Sequence, residues 1–459
     1  MTVSRILYRI WKWVLLTTVA ASCEDFVQLD LPDSQLSAKV VFENDETAIA
    51  AATGMYNVLL DPRGLIGELN PLSYTCGLLS EELLDRTGKP EYVEFNTNDL
   101  TASNSIVLGI WSNAYRTIYE ANAVIEGAHN SSGISSEVRQ QLLGEAKFVR
   151  AFCYFYLVNL FGDVALTTTT DYRSNAQLKR TLVSGIYGQI ESDLVDASEL
   201  LSEEYSSLGK VRPNKHAATA LLARVYLYLE EYEKAQSAAD QVIESGLYQL
   251  SENLNNVFLA NSSESILELS QVYPYIYPTA DGTFFILSGF KGEIALRSEF
   301  LNSFQPNDQR LSTWVSSFDG VNFYPYKYKV FLVLDEPNFP ENLVLLRLAE
   351  LYLIRAEART ELGDEEGAKS DLNLIRHRAG LPDTDANDAT ALKTAIENER
   401  RFEFFCEMGH RWLDLKRMGR ATAVLGALKP QWKPSDVLLP IPEKEMLSNP
   451  NLIPQNEGY

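Results

Sequence analysis

The spacing of apolar residues along the chain indicates a mainly helical protein. Between residues 111 and 125, the positions that would share one helix face recur at steps of three or four residues. They are Trp111, Tyr115, Ile118, Asn122 and Ile125. This is the repeat of a single helix face, and 186–201 carries a second example. The same spacing predicts further helices over 46–60, 138–161, 214–229, 232–245, 342–362, 365–379 and 389–418.

Two pairs of these helices carry small residues at matching positions. Ala223 and Ala235 are 12 residues apart, and so are Ala356 and Ala368, with a short turn between the helices of each pair. Small side chains at such positions let antiparallel helices approach closely, as in tetratricopeptide repeats. About a hundred residues separate the two pairs, so the pattern predicts tetratricopeptide-like helix pairs but no regular solenoid.

Two segments interrupt the helical pattern, 61–104 and 251–340, and both are rich in Pro, Gly, Asn and Ser. We expect them to be irregular, loop-rich insertions with minor β structure, including a strand at 265–270. Loops of this length are usually functional or disordered, and the aromatic content of the second insertion argues against disorder. The helical parts are then 37–250, which contains the first insertion, and 341–459, which ends in an extended tail.

The first 22 residues have the features of a signal segment. Basic residues precede a short apolar stretch at 13–20, which is too short to span a bilayer. The small residues Ala20–Ser22 then precede Cys23, as at a lipoprotein processing site. We therefore expect 1–22 to be removed and Cys23 to be acylated, so that acyl chains anchor the mature chain 23–459 to a membrane. An ordinary secretory signal followed by an unrelated cysteine is the alternative.

Charge and motif content exclude several classes of function. The 459 residues include 62 Asp and Glu against 40 Lys and Arg, a formal charge of −22, so nucleic acid is not an expected partner. The four cysteines show neither zinc-type nor disulfide-type spacing. Catalytic and phosphate-binding motifs are also missing from the sequence. We expect a protein that is not an enzyme and has no cofactor or metal; a glycosidase with paired carboxylates is the weaker alternative.

Several stretches in sequence order cover nearly the whole mature chain with motifs similar to those of one known family. They are Trp111–Asn122, Glu145–Phe152 with Phe161–Val164, Arg347–Ala358, Glu399–Phe404 with Gly409–Arg417, and Pro440–Tyr459. In these stretches the chain resembles the SusD-like (RagB/SusD) family. The resemblance implies a SusD-like helical scaffold and a lipoprotein of the outer membrane that faces the cell surface.

The resemblance also implies a function. The protein would capture an oligosaccharide or polysaccharide and deliver it to a SusC-like TonB-dependent transporter. The same scaffold binding peptides or another nutrient remains an open alternative. The charged residues of the most specific motif have helical spacings that favour ion pairs, so we expect a structural role for Glu399, Arg400, Glu403, Glu407, Arg411, Asp414 and Arg417. We expect Phe402, Phe405 and Trp412 in the core, and Asn122 bonded to backbone groups.

The candidate binding chemistry is aromatic. Seven of the 18 residues from Trp314 to Phe331 are aromatic, and such rings offer rigid apolar area for stacking on sugars. The resemblance implies that binding residues lie in the insertions. Trp314 is the first candidate, because it is the only Trp of its insertion and has small polar neighbours. The other candidates are Tyr324, Tyr326, Tyr273 and Tyr275 in the second insertion, and Asn70, Tyr74, Arg86, Tyr92 and Asn98 in the first. The alternative for each ring is packing of the insertion onto the helices.

Overall fold

A computed structural model describes residues 38–67, 69, 71–271, 276–334 and 339–459. The expected signal segment and the expected acylation site Cys23 lie outside these residues. Within the described part of the chain, no helix is long and apolar enough to cross a membrane.

The N-terminal part is mainly helical, as predicted. Its helices are α1 (Ala38–Val41), α2 (Asp45–Leu59), α3 (Leu72–Leu79), α4 (Pro90–Thr97), α5 (Ser105–Asn130), α6 (Ser136–Phe161), α7 (Tyr172–Asn175), α8 (Val183–Leu200), α9 (Lys215–Tyr228) and α10 (Tyr232–Glu244). Its strands are β1 (Leu83–Asp85), β2 (Val164–Ala165) and β3 (Arg180–Thr181). The long helices α5 and α6 pack against each other, and α8 packs on α6.

The ends of these long helices follow from local side-chain chemistry. The Asn104 side chain accepts hydrogen bonds from the first backbone amides of α5, and Ser135 does the same for α6. Such caps satisfy donors that the helix itself leaves unpaired. Gly162 ends α6 with a φ of 73°, a conformation that glycine adopts at little cost.

The C-terminal part contains the second insertion and the remaining helices. The helices are α11 (Ala280–Phe290), α12 (Ser298–Leu301), α13 (Gln309–Thr313), α14 (Leu348–Glu361), α15 (Glu365–Arg378), α16 (Ala389–Glu403), α17 (His410–Arg417), α18 (Ala421–Leu428) and α19 (Glu443–Ser448). The strands are β4 (Ser265–Leu269), β5 (Ile294–Leu296), β6 (Val315–Ser317), β7 (Phe323–Pro325) and β8 (Leu343–Arg347). Short 3-10 helices occur at Leu254–Asn256, Pro434–Val437 and Pro450–Leu452.

Two predicted helices differ from the structure. The segment 342–362 begins with strand β8, which pairs antiparallel with β4, because a short buried apolar run suits a strand as well as a helix. The segment 389–418 is two helices. Between them, Cys406 and Met408 have φ angles of 48° and 43°, and this left-handed backbone cannot continue an α-helix.

The helix pairs α9–α10 and α14–α15 form as the alanine spacing predicted. All four alanines, Ala223, Ala235, Ala356 and Ala368, are fully buried. Helix α10 packs on α14, so the two pairs lie side by side although a long insertion separates them in sequence. The packing of α10 on α14 therefore joins the two halves of the chain.

Buried ion pairs connect the second insertion to the C-terminal helices. Arg347, at the end of β8, contacts Glu264, Glu403 and Glu407, while Arg310 also contacts Glu403. Burial opposes ionisation of Glu403, but the surrounding guanidinium groups outweigh it and hold its pKa well below the usual range. Such a cluster is costly to break, because removing any one side chain leaves a buried charge without its partner.

The motif residues Arg400, Arg411 and Arg417 also form ion pairs, with Asp414, Glu81 and Glu357 respectively. Their predicted structural role is confirmed. Phe402, Phe405 and Trp412 are buried as expected. Asn122 donates to the backbone carbonyls of Thr167 and Thr169, as predicted.

Candidate functional site

The two insertions meet in a small antiparallel sheet. Strand β1 of the first insertion pairs with β5 of the second, with Leu83 opposite Leu296 and Asp85 opposite Ile294. Helix α4 packs on β1, and α11 packs against β5 and β7. The composition of the insertions predicted loops with minor β structure. The structure also contains short helices in both insertions, and this sheet holds them together.

A cavity of about 330 Å³ opens where the insertions meet. Three aromatic residues line it: Tyr92 from α4, Phe284 from α11, and Tyr277 before α11. The remaining lining residues are Leu69, Thr87, Lys89, Thr283, Leu287, Ser288, Lys291, Glu293 and Ile294. Apolar walls with a few convergent polar groups are typical of small-molecule sites.

Tyr74 packs behind the aromatic wall of the cavity. Its buried ring lies 5.3 Å from the ring of Tyr92 and 4.5 Å from that of Phe284, measured between centroids. Its hydroxyl donates to Asp85 at 3.0 Å. Asp85 also accepts from the backbone amides of Thr87 and Gly88, so one carboxylate fixes both the supporting ring and the turn beside the cavity.

Tyr92 presents a protonated phenol at the cavity. Burial raises the pKa of Tyr92 to about 12, helped by the nearby carboxylates Glu91, Asp85 and Glu293. Its hydroxyl lies 3.5 Å from the Leu69 carbonyl oxygen. The phenol is therefore neutral at physiological pH.

An exposed aromatic surface lies beside the cavity. Phe290, the last residue of α11, is 68% exposed, and Phe318, just after β6, is 54% exposed. Their ring centroids lie 5.3 Å apart with near-perpendicular planes. We call these two residues the aromatic platform. Phe290 is the chain neighbour of Lys291 and one helical turn from Leu287, and both of these line the cavity.

The turn that carries Phe318 is held in place by polar contacts. Asp319 accepts hydrogen bonds from the backbone amides of Asn322 and Val321, at 2.7 and 2.9 Å, and these bonds lower its pKa well below the usual range. Arg86 of the first insertion donates to the Asn322 side chain. The β6–β7 turn is thus linked across to the edge of the cavity.

The structure corrects the leading sequence candidate, Trp314. This residue has 0% exposure, and its indole nitrogen donates to the Leu254 carbonyl at 3.0 Å. Phe258 and Phe405 pack against its ring. A buried indole with a satisfied donor offers no face for stacking on a sugar. Trp314 therefore packs the insertion onto the helices instead of binding a ligand.

The other described candidates of the second insertion have different positions. Tyr324 is 2% exposed and supports Phe318, with the two rings stacked, so it is also not an exposed binding ring. Tyr326 is half-buried, and its ring lies 6.0 Å from that of Tyr324. Tyr273 and Tyr275 lie outside the described residues.

The candidates of the first insertion differ in position. Tyr92 lines the cavity. Arg86 lies next to it, with its backbone amide donating to the carbonyl of the lining residue Glu293, while Tyr74 is buried behind the cavity wall. Asn98 is a correction: it is buried and caps the end of α4 in a left-handed conformation, with its amide donating to the Leu79 carbonyl. Asn70 lies outside the described residues.

Sequence reasoning missed several residues of this site. Phe284 and Phe290 sit in an apolar run that gives no sign of which rings face solvent. Phe318 was part of the aromatic cluster from Trp314 to Phe331, but its local sequence does not distinguish it from the buried members. A usable signal was the turn Asp319-Gly320 directly after Phe318, because turn residues lie at the surface.

The other main cavities formed by the described residues each have at most two aromatic lining residues. A larger groove of about 660 Å³ runs along α5 and contains Phe42, Tyr119 and Gly127, and Tyr119 is its exposed aromatic side chain. We call it the α5 groove. Across the described ranges, no group of three or more His, Cys, Asp or Glu side chains is arranged to hold a metal ion.

Comparison with known proteins gives one consistent result. A family described as starch-binding and associating with the outer membrane, SusD-like, matches residues 82–227, and the SusD family matches residues 335–431. A SusD-like protein of Formosa agariphila is 28% identical over 98% of this chain and 99% of its own length.

Solved structures agree in fold. A SusD superfamily protein from Bacteroides thetaiotaomicron superposes with a TM-score of 0.75 at 27% identity, over 90% of this chain and 99% of that one. The surface glycan-binding protein A of the same species, solved with laminarihexaose, gives a TM-score of 0.77 at 22% identity, over 90% of this chain and 99% of that one.

Proposed function

Because the chain belongs to the SusD-like family, we propose that it binds an oligosaccharide or polysaccharide at the cavity between its two insertions. The observation that carries this proposal is the joining of the cavity to the aromatic platform. Tyr92 and Phe284, one from each insertion, line the cavity, and Phe290, next in the chain to the lining residue Lys291, contacts Phe318.

The chemistry of this surface suits a sugar chain. The C–H faces of sugar rings stack on aromatic side chains, while hydroxyl groups need donors and acceptors. The cavity supplies them from Thr87, Ser288 and Glu293, and from the phenol of Tyr92. A sugar unit in the cavity and another on the platform would together engage a chain of several units.

We propose binding without turnover. A glycosidase needs two carboxylates flanking the bond to be cleaved, at a separation of about 5–10 Å. Of the cavity-lining residues described above, Glu293 is the one with a carboxylate, and neighbouring Asp85 is already engaged by Tyr74, Thr87 and Gly88.

We propose that the protein is a surface lipoprotein of the outer membrane and delivers its glycan to a SusC-like TonB-dependent transporter. Family membership and the lipoprotein-type segment before Cys23 support this role. Purification in mild detergent with a C-terminal tag should recover the transporter in near-equal amount. Recovery of the tagged protein alone, although its membrane fraction contains the transporter, would contradict the delivery role.

The binding function is tested by a calorimetric screen of the chain from residue 24. The probes are neutral and acidic oligosaccharides, including laminarihexaose, together with peptides of similar length. Saturable binding to a glycan class, with the glycan recovered uncleaved, is the expected result. Binding to peptides alone would favour the peptide alternative, and release of shorter products would contradict binding without turnover.

A further inference from the structure

We infer that the glycan bound at this site carries negative charge, as a uronic acid carboxylate or a sulfate ester. This inference rests on the proposed function, because it names the substrate class of the same cavity. It is carried by three cationic side chains, Arg86, Lys89 and Lys291. Lys89 and Lys291 line the cavity, and Arg86 adjoins the lining residue Thr87 and donates its backbone amide to the carbonyl of Glu293, which also lines the cavity.

The two lysines point to an anion because neither forms an ion pair with any residue that the structure describes. Lys89 precedes α4 and Lys291 follows α11, and both line the cavity. Within the described ranges, neither ammonium has a carboxylate at ion-pair distance. The Lys89 ammonium lies 5.5 Å from the centre of the Tyr92 ring, above the aromatic wall of the cavity.

Arg86 extends this cationic edge towards the platform. It is exposed, and its guanidinium donates to the side chain of Asn322, a neutral partner. A guanidinium has five N–H donors in a planar fork that fits carboxylate and sulfate oxygens. Most of its donors are therefore available at the junction between cavity and platform.

Among the described residues, the acidic groups near the opening form no ion pair with these three cations. Glu293 also lines the cavity but forms no ion pair with Lys89 or Lys291. Asp85 is saturated by donors from the protein, namely the hydroxyls of Tyr74 and Thr87 and two backbone amides. Glu91 lies on α4 close enough to affect Tyr92. Asp319 is bonded within the β6–β7 turn.

Many cations elsewhere in the described part of the chain form ion pairs. Asp and Glu exceed Lys and Arg by 62 − 40 = 22 residues, and cations elsewhere commonly pair with them, as Lys147 does with Asp196, Lys234 with Glu191, and Lys393 with Glu361. Exposed lysines without an ion pair among the described residues also occur singly, at Lys179 and Lys444, but Lys89 and Lys291 lie together on one aromatic cavity, and this convergence favours an anionic ligand. The arrangement also gives Glu293 a role as acceptor for a sugar hydroxyl.

The test compares matched ligands on the chain from residue 24. The probes are a polygalacturonate hexasaccharide with its carboxyl-reduced neutral counterpart, and laminarihexaose with its sulfated derivative. We expect at least one charged probe to bind about tenfold more tightly than its neutral counterpart at low salt. This preference should shrink in 0.5 M salt, because exposed charges are screened. The two pairs separate a carboxylate ligand from a sulfate ligand.

The lysines are tested directly by the double substitution Lys89→Gln, Lys291→Gln. We expect the affinity for the charged probe to fall about 5- to 30-fold, from about 0.5–1 kcal/mol for each exposed charge pair, with binding of the neutral counterpart unchanged. The matched control is Lys179→Gln, Lys444→Gln, since both residues are exposed lysines outside the insertions and form no ion pair in the described structure. This control should leave both affinities unchanged.

The results that would contradict the charge of the ligand differ from those that would contradict glycan binding itself. Equal or tighter binding of the neutral probes, with loss of affinity on Phe290→Ala, Phe318→Ala, would overturn the charge inference and leave glycan binding intact. A charged-probe preference that survives the Lys89, Lys291 substitution would also overturn it. If all four probes fail to bind while other glycans bind in the wider screen, the inference fails for these anions and the function stands.

Discussion

The ring of Phe318 lies parallel to the ring of Tyr324, with centroids 5.2 Å apart and planes inclined by 10°. Phe318 faces solvent, whereas Tyr324 is buried against Gly289 of α11. The buried ring fixes the orientation of the exposed one, so Phe318 presents a preformed flat surface. Preorganised aromatic groups lose little entropy when a ligand binds.

Replacing the platform by Phe290→Ala and Phe318→Ala should weaken glycan binding without unfolding the protein. Stacking on one ring is worth about 1–3 kcal/mol in comparable stacking of nucleic-acid bases, which is about 5- to 150-fold in affinity. Calorimetry and thermal melting on the same samples measure both effects. Tyr172→Ala, which removes an exposed ring outside the insertions, is the matched control. Unchanged affinity in the platform variant would exclude the platform from the site.

Trp314→Ala should lower the stability of the protein and leave its glycan affinity unchanged. It removes a buried indole packed on Phe258 and Phe405 and leaves the Leu254 carbonyl without its donor. Truncating a buried Trp costs about 3–5 kcal/mol, so the urea midpoint should fall markedly. At a temperature where the variant is folded, its glycan affinity should be close to that of the unmodified protein. A folded variant with normal stability and lost affinity would contradict the structural role of Trp314.

Stability should depend on pH through Asp281 in the first turn of α11. Burial raises the pKa of Asp281 to about 7, against a smaller opposing effect of the Ser73 hydroxyl that donates to it. A raised pKa in the folded state stabilises the protein at low pH, and this contribution is lost as the pH rises through 7. The contribution should fall by on the order of 2 kcal/mol between pH 5 and pH 8.

The test is urea unfolding of Asp281→Asn and of the unmodified protein at both pH values. The amide mimics the protonated acid, so the variant should lose less stability between pH 5 and pH 8. Glu82, whose pKa burial raises to about 8, contributes in the same direction and remains in both proteins. An identical pH dependence in the two proteins would mean that Asp281 is ionised in the folded state.

Membrane attachment should depend on Cys23. Cys23→Ala removes the only sulfur at the predicted processing site, so the protein should leave the membrane fraction and lose incorporated labelled lipid. Cys153→Ala, which alters a buried thiol, is the control and should stay with membranes. Retention of Cys23→Ala in the membrane fraction with undiminished lipid label would leave an ordinary secretory signal as the explanation.

The helical scaffold could be predicted from sequence because the residues that determine each helix are close together in the chain. Periodicity located most helices, and the spacing of Ala223, Ala235, Ala356 and Ala368 predicted their close pairs. The break at 404–409 was missed, because helical periodicity continues through it and the left-handed backbone at Cys406 and Met408 depends on the surroundings.

The site was harder to predict because its information is not local. Trp314 and Phe318 are four residues apart, yet one is buried and the other exposed. The burial of Trp314 depends on Leu254 and Phe405, which are far away in sequence. Likewise, only the pairing of β1 with β5 brings Tyr92 beside Phe284. Sequence could indicate the insertions as the place of the site, but not which of their rings form it.

Hydrogen exchange with and without a saturating oligosaccharide from the screen tests whether the glycan binds where the two insertions meet. We expect slower exchange on binding in the segments 84–93, 283–294 and 316–324, and unchanged exchange along the helix pairs α9–α10 and α14–α15. Protection confined to the α5 groove near Tyr119, or to the helix pairs, would show that the glycan binds elsewhere.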